Sequence, residues 1–149
     1  MHKKLYFLLA TTIFIIDGAT KLAALAWCMD SPRIINSFLS FEVVFNRGIS
    51  WGMFHSQSDV LFFVVSAMIA LITVMLCGYA YQRYMQGHVI VAEICIIAGS
   101  CCNLIDRAMY GGVIDFIILF YNNLSWPVFN IADAVIVLGV SLFILRYEK

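Results

Sequence analysis

Apolar residues dominate the chain in four long stretches that carry few charges. The stretches cover residues 5–28, 60–82, 89–108 and 128–145. A helix needs about 20 mostly apolar residues to cross the hydrocarbon layer of a bilayer, and all four stretches are near that length. The segments between them are too short for a separate soluble domain. The pattern therefore predicts one mainly α, integral-membrane unit over residues 1–149, with four transmembrane helices.

Composition supports a membrane protein. Hydrophobic side chains make up 63% of the chain, charged ones only 12%, and the mean hydropathy is +0.94, whereas soluble domains are about 45–50% apolar. The net charge of zero gives no reason to expect a nucleic-acid partner. The five cysteines are odd in number and lack metal-ligand spacing, so we expect small apolar packing groups, with no metal or cofactor.

The placement of basic residues predicts the orientation of the four helices. Arg33 and Arg47 fall on one side of a four-span threading, and the opposite side carries Lys3, Lys4, Arg83, Arg146 and Lys149. By the positive-inside rule both termini are cytoplasmic and the loops 29–59 and 109–127 face outward. The outer interface would then hold three aromatic anchors, Trp27, Trp51 and Trp126.

Ionisable residues inside the first and third stretches require an explanation, because each costs about 2.5–3.5 kcal/mol on insertion scales. Asp17 and Lys21 interrupt the first stretch, which favours a retained helix over a cleaved signal peptide. Being four residues apart, they share a helical face and are expected to form a neutral pair, with contact to substrate as the alternative. Glu93 has no partner visible in the sequence, so we expect it to be protonated or hydrated at the cytoplasmic interface.

Polar residues also close the third stretch, in the segment GSCCNLIDR. Asn103 and Asp106 lie one turn apart and can hydrogen-bond a neighbouring helix. Arg107 points in a different direction from Asp106. It could hold a substrate carbonyl or an aspartate, or anchor the helix at the interface.

Two further aspartates are expected to face each other near the outer surface. Asp115 follows Gly111 and Gly112, which allow the chain to leave the helix and fold back. Asp133 lies on the first turns of the fourth stretch, about 8–10 Å below the outer surface, and Pro127 suits the start of that helix. Asp115 would lie at the same depth as Asp133, at the opposite end of the segment that connects the third and fourth stretches.

A facing pair of carboxylates in a poorly solvated site shares one proton. The ionised member can take a proton from water while the protonated member donates to the leaving amine, which suits peptide hydrolysis. Proton- or ion-coupled transporters also place carboxylates in membranes, so on the pair alone a small transporter is an equal alternative. The absence of a visible repeat disfavours that alternative, and a non-enzymatic scaffold is a third possibility.

The motifs together resemble those of lipoprotein signal peptidase, or signal peptidase II, a bacterial family of integral-membrane aspartic peptidases. The resemblance covers nearly the whole chain and rests on five segments in order: DGATK, FNRGISWG, GSCCNLIDR, GGVIDF and FNIAD. It implies cleavage of a prolipoprotein before its diacylglyceryl cysteine at the outer face of the cytoplasmic membrane. The expected partners are that substrate and membrane lipid, and a monomer is expected.

The resemblance also assigns roles by position. Asp115 and Asp133 match the catalytic aspartates, with Asp106 as the residue that could compete with Asp115. The matching substrate-binding or supporting positions are Asn46, Gly48, Asn103, Asp106, Arg107, Asn130, Asp17 and Lys21. In the outer loop, the alternation in FLSFEVVFN predicts a small strand pair bending at Gly48. The resemblance implies a β-sheet cradle there, followed by an interfacial helix that SWGMFHS could supply.

Overall fold

Four helices and a four-stranded sheet form the described part of the chain. The computed structural model describes residues 3–48, 58–122 and 124–147. The helices are α1 (Lys3–Cys28), α2 (Asp59–Met85), α3 (Val91–Tyr110) and α4 (Ile131–Tyr147). The strands are β1 (Arg33–Asn36), β2 (Leu39–Asn46), β3 (Val113–Tyr121) and β4 (Leu124–Ser125). The predictions of a mainly α fold with four helices and a small sheet are confirmed.

The sheet is antiparallel, in the order β1-β2-β3-β4. A strand pair is present in the first loop as β1 and β2, but the prediction that it bends at Gly48 is wrong. Residues 39–46 of FLSFEVVFN form a single strand, the turn to β1 lies at residues 37–38, and β2 also pairs along β3 from the second loop. The expected regular alternation in β2 is interrupted, because the register with β3 shifts by one residue between Phe41 and Val44. This shift sets Asp115 opposite Val44.

The prediction that α4 starts at Pro127 is wrong. Phe129 forms an isolated bridge to Ile117 of β3, which holds residues 127–130 in an extended path along the sheet. The helix therefore begins only at Ile131. This delay places Asn130 immediately before the helix and Asp133 in its first turn.

Helix α3 is the centre of the bundle and packs against the other three helices. Its contact with α4 is close because glycines face the partner helix on both sides. A Cβ atom added at Gly99 would lie 2.7 Å from Ile136 Cγ1 and 2.8 Å from the carbonyl oxygen of Ala132. A Cβ at Gly139 would meet Ile96 and Ala92 at similar distances. Small residues at such positions let the backbones of two helices approach closely.

The core contains apolar residues, but large apolar side chains are also exposed on the helices and several charged side chains are buried, which is unusual for a soluble protein. Large apolar residues such as Phe7, Phe63 and Leu71 are exposed on α1 and α2, with Phe7 at 75%. Charged and amide side chains are buried instead, namely Asp17, Lys21, Glu93, Asp106, Arg107, Asp115 and Asn130. Among the described helices, α1 and α2 are long and apolar enough to cross a membrane on length and composition alone, whereas α3 and α4 contain 20 and 17 residues.

Candidate active site

A capping box at the start of α4 holds Asp133 in place. Asn130 is the residue before the helix, and its Oδ1 accepts a hydrogen bond from the backbone N–H of Asp133 at 2.9 Å. In return, Asp133 Oδ2 accepts from the backbone N–H of Asn130 at 3.3 Å. This reciprocal arrangement satisfies two N–H groups that a helix start leaves unpaired. The same positive end of the helix stabilises negative charge on the Asp133 carboxylate.

Asp115 reaches the same place from the sheet. It lies third in β3 and is buried, at 2% exposure. Its two carboxylate oxygens accept from different asparagines: Asn130 Nδ2 donates to Oδ1 at 2.7 Å and Asn46 Nδ2 donates to Oδ2 at 2.9 Å. Asn130 therefore contacts both aspartates, Asp133 through its capping bonds and Asp115 through its side-chain amide.

Both aspartates line one cavity of about 160 Å³, which has room for several water molecules. Side chains from α2, α3, α4 and the sheet surround it. The lining residues are Asn46, Ile69, Ser100, Asn103, Arg107, Val113, Asp115, Asp133 and Ile136. A second, mainly apolar cavity of about 450 Å³ shares Asp133 and Ile136 with the first and extends past Trp126 and Phe129.

Asp106 belongs to a buried ion cluster next to the cavity. Lys21 Nζ lies 2.7 Å from both Asp17 Oδ2 and Asp106 Oδ2, and Asp106 Oδ2 also accepts from the backbone N–H of Ile114. Lys21 is only 2% exposed, so it is enclosed by its partners. The expected pair of Asp17 and Lys21 is thus a cluster of three. It connects α1 to α3 and to the start of β3.

The cluster is joined to the two aspartates by hydrogen bonds. Lys21 Nζ donates to Asn103 Oδ1 at 3.1 Å, and Asn103 Nδ2 donates to Asp133 Oδ1 at 2.8 Å. Asp17 Oδ1 accepts from the backbone N–H of Ala132 at 2.8 Å, adding a cap to α4 from α1. Lys21 and Asp17 therefore fix the orientation of Asn103 and Asp133 from behind the cavity.

Arg107 is held by backbone carbonyls rather than by either aspartate. Its Nη1 donates to the carbonyl oxygen of Arg47 at 3.3 Å, and its Nη2 donates to that of Gly48. The guanidinium groups of Arg107 and Arg47 both lie near the ring of Phe62, at 5.6 and 5.0 Å from its centroid. Arg107 thereby holds the end of β2 against α2 and α3 while it lines the cavity.

Gly48 is buried, and its backbone N–H donates to Asn46 Oδ1 at 2.9 Å. This bond orients the Asn46 side chain so that its Nδ2 points to Asp115. Of the residues expected from the motifs, five line the cavity and the other five support them from behind. The lining ones are Asn46, Asn103, Arg107, Asp115 and Asp133, and the supporting ones are Gly48, Asp106, Asn130, Asp17 and Lys21.

The sequence did not single out Phe62 or the apolar lining residues Ile69, Val113 and Ile136 for the site. No polar signal distinguishes them from other apolar residues, so the pattern could not have found them. The expected interfacial helix, including Trp51, falls on residues 49–57 and lies outside the described residues.

Burial, and after it the negative charge of Asp133, raises the pKa of Asp115 to about 7. The hydrogen bonds from Asn46 and Asn130 act in the opposite sense, because they stabilise the carboxylate. A carboxyl group with a pKa near neutrality can hold a proton and release it during a reaction.

The prediction that Glu93 is protonated or hydrated without a partner is wrong. It is fully buried and lies 3.2 Å from Arg83 Nε and 2.9 Å from Arg146 Nη2. The two arginines are 10 residues before and 53 residues after Glu93, so only the fold brings them together. The five cysteines are free thiols, and within residues 3–48, 58–122 and 124–147 no group of His, Cys, Asp and Glu side chains is arranged to hold a metal ion.

Comparison with solved structures shows a shared fold. A bacterial membrane enzyme solved by the in meso method at 2.3 Å superposes with a TM-score of 0.78 at 24% identity, over 99% of this chain and 89% of the other. A second such structure, at 1.9 Å, gives a TM-score of 0.77 at 26% identity, over 100% of this chain and 98% of the other.

Comparison of sequences shows the family. The lipoprotein signal peptidase of Thermodesulfovibrio yellowstonii is 37% identical over 92% of this chain and 90% of its own length. That of Aquifex aeolicus is 33% identical over 96% and 85%, and that of Rickettsia bellii 34% over 97% and 78%. The family model for signal peptidase (SPase) II matches residues 9–148. The resemblance found in the motifs is therefore confirmed, and the chain belongs to the signal peptidase II family of peptidases.

Proposed function

We propose that the chain is an integral-membrane aspartic peptidase that hydrolyses the peptide bond before the diacylglyceryl-modified cysteine of a prolipoprotein. Asp115 and Asp133 would be its catalytic residues. The observation that carries this proposal is that both carboxylates line the same buried cavity, each fixed by hydrogen bonds from asparagines. The names of its relatives, lipoprotein signal peptidases, support the substrate.

We place all four helices in the bacterial cytoplasmic membrane as one unit, because many large apolar side chains are exposed on the helices while charged side chains are buried between them. Exposed apolar surface of this extent would be unfavourable in water but matches a lipid environment. Arg83 and Arg146 lie at one end of the bundle, and the cavity, Trp27 and the sheet lie at the other. The positive-inside rule then puts both termini in the cytoplasm and the cavity near the outer face.

The two carboxylates can carry out hydrolysis without a covalent enzyme intermediate. Asp133 would take a proton from a water molecule in the cavity as that water attacks the scissile carbonyl carbon. Asp115 would give its proton to the carbonyl oxygen as negative charge develops there, which yields a neutral tetrahedral intermediate. As the C–N bond breaks, Asp133 would pass the proton taken from water to the leaving amine, and Asp115 would recover a proton from a hydroxyl group of the intermediate. The positive charge of Arg107 at the cavity wall would stabilise the negative charge that develops on the carbonyl oxygen.

Asp115 is the better candidate for the protonated residue at rest. Its burial and the charge of Asp133 raise its pKa to about 7. Asp133 instead lies at the positive start of α4, accepts the backbone N–H of Asn130 and accepts from Asn103, which Lys21 contacts. Burial disfavours the ionised form of Asp133 as well, but these donors and the helix start act against this effect of burial, which suits a general base.

The substrate lipid would help to position the bond. Each buried methylene contributes about 0.8 kcal/mol to membrane anchoring, so a diacylglyceryl cysteine stays at the depth of the lipid surface. The apolar cavity that shares Asp133 with the catalytic cavity offers a non-polar surface beside the reacting bond.

The pH dependence of cleavage tests the role of Asp115. Because its raised pKa means that Asp115 holds its proton below about pH 7, we expect kcat/KM to fall as pH rises through that value. Asn46→Ala removes a hydrogen bond that lowers this pKa. The fall in kcat/KM on the alkaline side of the pH profile (its alkaline limb) should therefore move to higher pH. Asn36→Ala, at the end of β1, is the control and should leave the alkaline limb of the pH profile in place. A limb that moves to lower pH in Asn46→Ala would contradict the assignment.

The function itself is tested by mass spectrometry of a lipidated prolipoprotein incubated with the purified chain. We expect a single cut before the modified cysteine and no cut of the same precursor without its lipid. Substrate-coupled proton flux without proteolysis would instead indicate the transporter.

A further inference from the structure

One hydroxyl group on the wall of the catalytic cavity is not used by the described part of the chain. Ser100, Asn103 and Arg107 are spaced along one face of α3, and all three line the cavity. Asn103 donates a hydrogen bond to Asp133, and Arg107 donates to two backbone carbonyls. Among the residues that the structure describes, none forms a hydrogen bond with the Ser100 hydroxyl. It is therefore available to a ligand in the cavity.

Several other serines and threonines in the helices use their hydroxyl groups within the protein. Thr20, Ser66, Thr73 and Ser141 each donate to the carbonyl oxygen four residues earlier, at 2.7–2.8 Å. A bond of this kind satisfies a hydroxyl inside a helix without any outside partner. The Ser100 side chain lines the cavity instead, where the hydrogen-bond acceptor of a ligand can reach it.

Ser100 lies at the end of the cavity that is farther from the sheet. The ring of Phe62 in α2 lies 5.6 Å from the guanidinium of Arg107 in α3. Ile69 and Ser100 are each seven residues from those positions, about 10.5 Å along their helices, and both line the cavity. Ile136, one turn along α4 from the aspartate in its first turn, lies at the same end. Ser100, Ile69 and Ile136 form the deep end of the cavity, which is apolar except for the serine hydroxyl.

Under the proposed function a substrate reaches the two aspartates from the deep end, because the signal peptide precedes the modified cysteine and its apolar segment lies in the membrane. A helical backbone keeps its carbonyl groups in its own hydrogen bonds and surrounds them with side chains. The residues beside the scissile bond therefore have to be extended for the water molecule and both carboxylates to reach it. The carbonyl groups released in this way need new donors, since unsatisfied polar groups are costly in an apolar site.

We propose that the Ser100 hydroxyl donates a hydrogen bond to a main-chain carbonyl oxygen of the signal peptide, about one or two residues before the scissile carbonyl. Ser100 lies about 4.5 Å deeper along α3 than Asn103, a distance that an extended chain covers in about one or two residues. A bond to the main chain selects no side chain. It helps to fix which peptide bond of the substrate lies between Asp115 and Asp133. The inference rests on the proposed function and extends it to the positioning of the substrate.

The variant Ser100→Ala tests this bond with a synthetic lipidated peptide as the substrate. We expect kcat/KM to fall about 2–10-fold, the usual effect of losing one neutral hydrogen bond. The melting temperature should stay at the wild-type value, because the hydroxyl bonds to no described residue. The control Ser141→Ala removes an exposed hydroxyl that donates to the Val137 carbonyl, and it should leave kcat/KM unchanged. Equal kcat/KM in Ser100→Ala and the wild type would overturn the proposal.

Thioamide substrates distinguish a contact with the substrate from an indirect effect of the substitution. In two such lipidated peptides, the carbonyl oxygen one or two residues before the scissile carbonyl is replaced by sulfur, which is a weaker hydrogen-bond acceptor. The wild-type protein should cleave one of them less efficiently than the parent peptide. Ser100→Ala should cleave that peptide as efficiently as the parent, because the same interaction cannot be lost twice. If sulfur has the same effect on both proteins at both positions, the proposal fails.

Cleavage of the parent peptide by the wild-type protein is the separate readout for the proposed function. If the parent is cleaved and the effects of sulfur do not depend on Ser100, only the inference about Ser100 fails. If the parent is not cleaved, the proposed function fails and the inference about Ser100 fails with it.

Discussion

Asp115→Asn and Asp133→Asn are each expected to reduce cleavage of a lipidated precursor by about 10²–10⁴-fold, the usual contribution of a general acid or base. Asparagine has nearly the shape of aspartate but can neither take a proton from water nor donate one as a carboxylic acid. The oxygen of the new amide can still accept from Asn130 at position 115 or from Asn103 at position 133. Both variants should therefore insert and fold, as measured by their yield and melting temperature in detergent.

Asp106→Asn is the matched comparison, because Asp106 is the aspartate that the motifs leave as a competitor to Asp115. It contacts Lys21 and the backbone of Ile114 and does not line the cavity. Its replacement leaves Asp17 and Lys21 as a neutral buried pair, so cleavage should stay within about tenfold of wild type, well above the loss expected for a general acid or base. A complete loss of cleavage in Asp106→Asn with full activity in Asp115→Asn would exchange the two roles.

Lys21→Met is expected to destabilise the fold by about 3–5 kcal/mol, the range for a buried ion pair that loses one partner. Asp17 and Asp106 would remain buried within reach of the same vacated position, with no cation between them. Unfolding in a titration of denaturing detergent measures the change. Lys4→Met, an exposed lysine of the same helix, should have little effect.

A double substitution identifies the cause of this destabilisation. Because Asp106→Asn removes one of the two stranded carboxylates, it should recover part of the stability lost in Lys21→Met. Such non-additivity is expected only for residues that interact directly. If Lys21→Met unfolds at the same concentration of denaturing detergent as Lys4→Met, the buried cluster does not contribute to stability as its contacts indicate.

Sequence patterns predicted the helices well because each has a long apolar run, and they identified the polar residues around the cavity because charges in such runs are rare. The capping pair of Asn130 and Asp133 has a local signature, an asparagine followed three residues later by an acid, but the helix start was predicted at Pro127 and the pair was missed. What the patterns did not supply was the set of partners. Glu93 contacts two arginines that are remote in sequence, and no local spacing indicates this.

Strand β3 was missed for a different reason. Its first four residues are all buried, so both faces of the strand are covered and the alternation that marks a half-exposed strand is absent. A short apolar run of this kind cannot be told from a helical segment by periodicity. The bridge from Phe129 to Ile117 then delays α4, which explains why Pro127 was a misleading start signal.

The bond from the backbone N–H of Ala132 to Asp17 joins two positions 115 residues apart in sequence. The first helix is synthesised long before the last one. The contact between Asp17 and Ala132 can therefore form only late in translation. A nascent or truncated polypeptide that lacks α4 therefore lacks Asp133, although Asp17, Lys21 and Asn103 are already present. On the proposed mechanism, cleavage therefore cannot begin until synthesis of the chain is nearly finished.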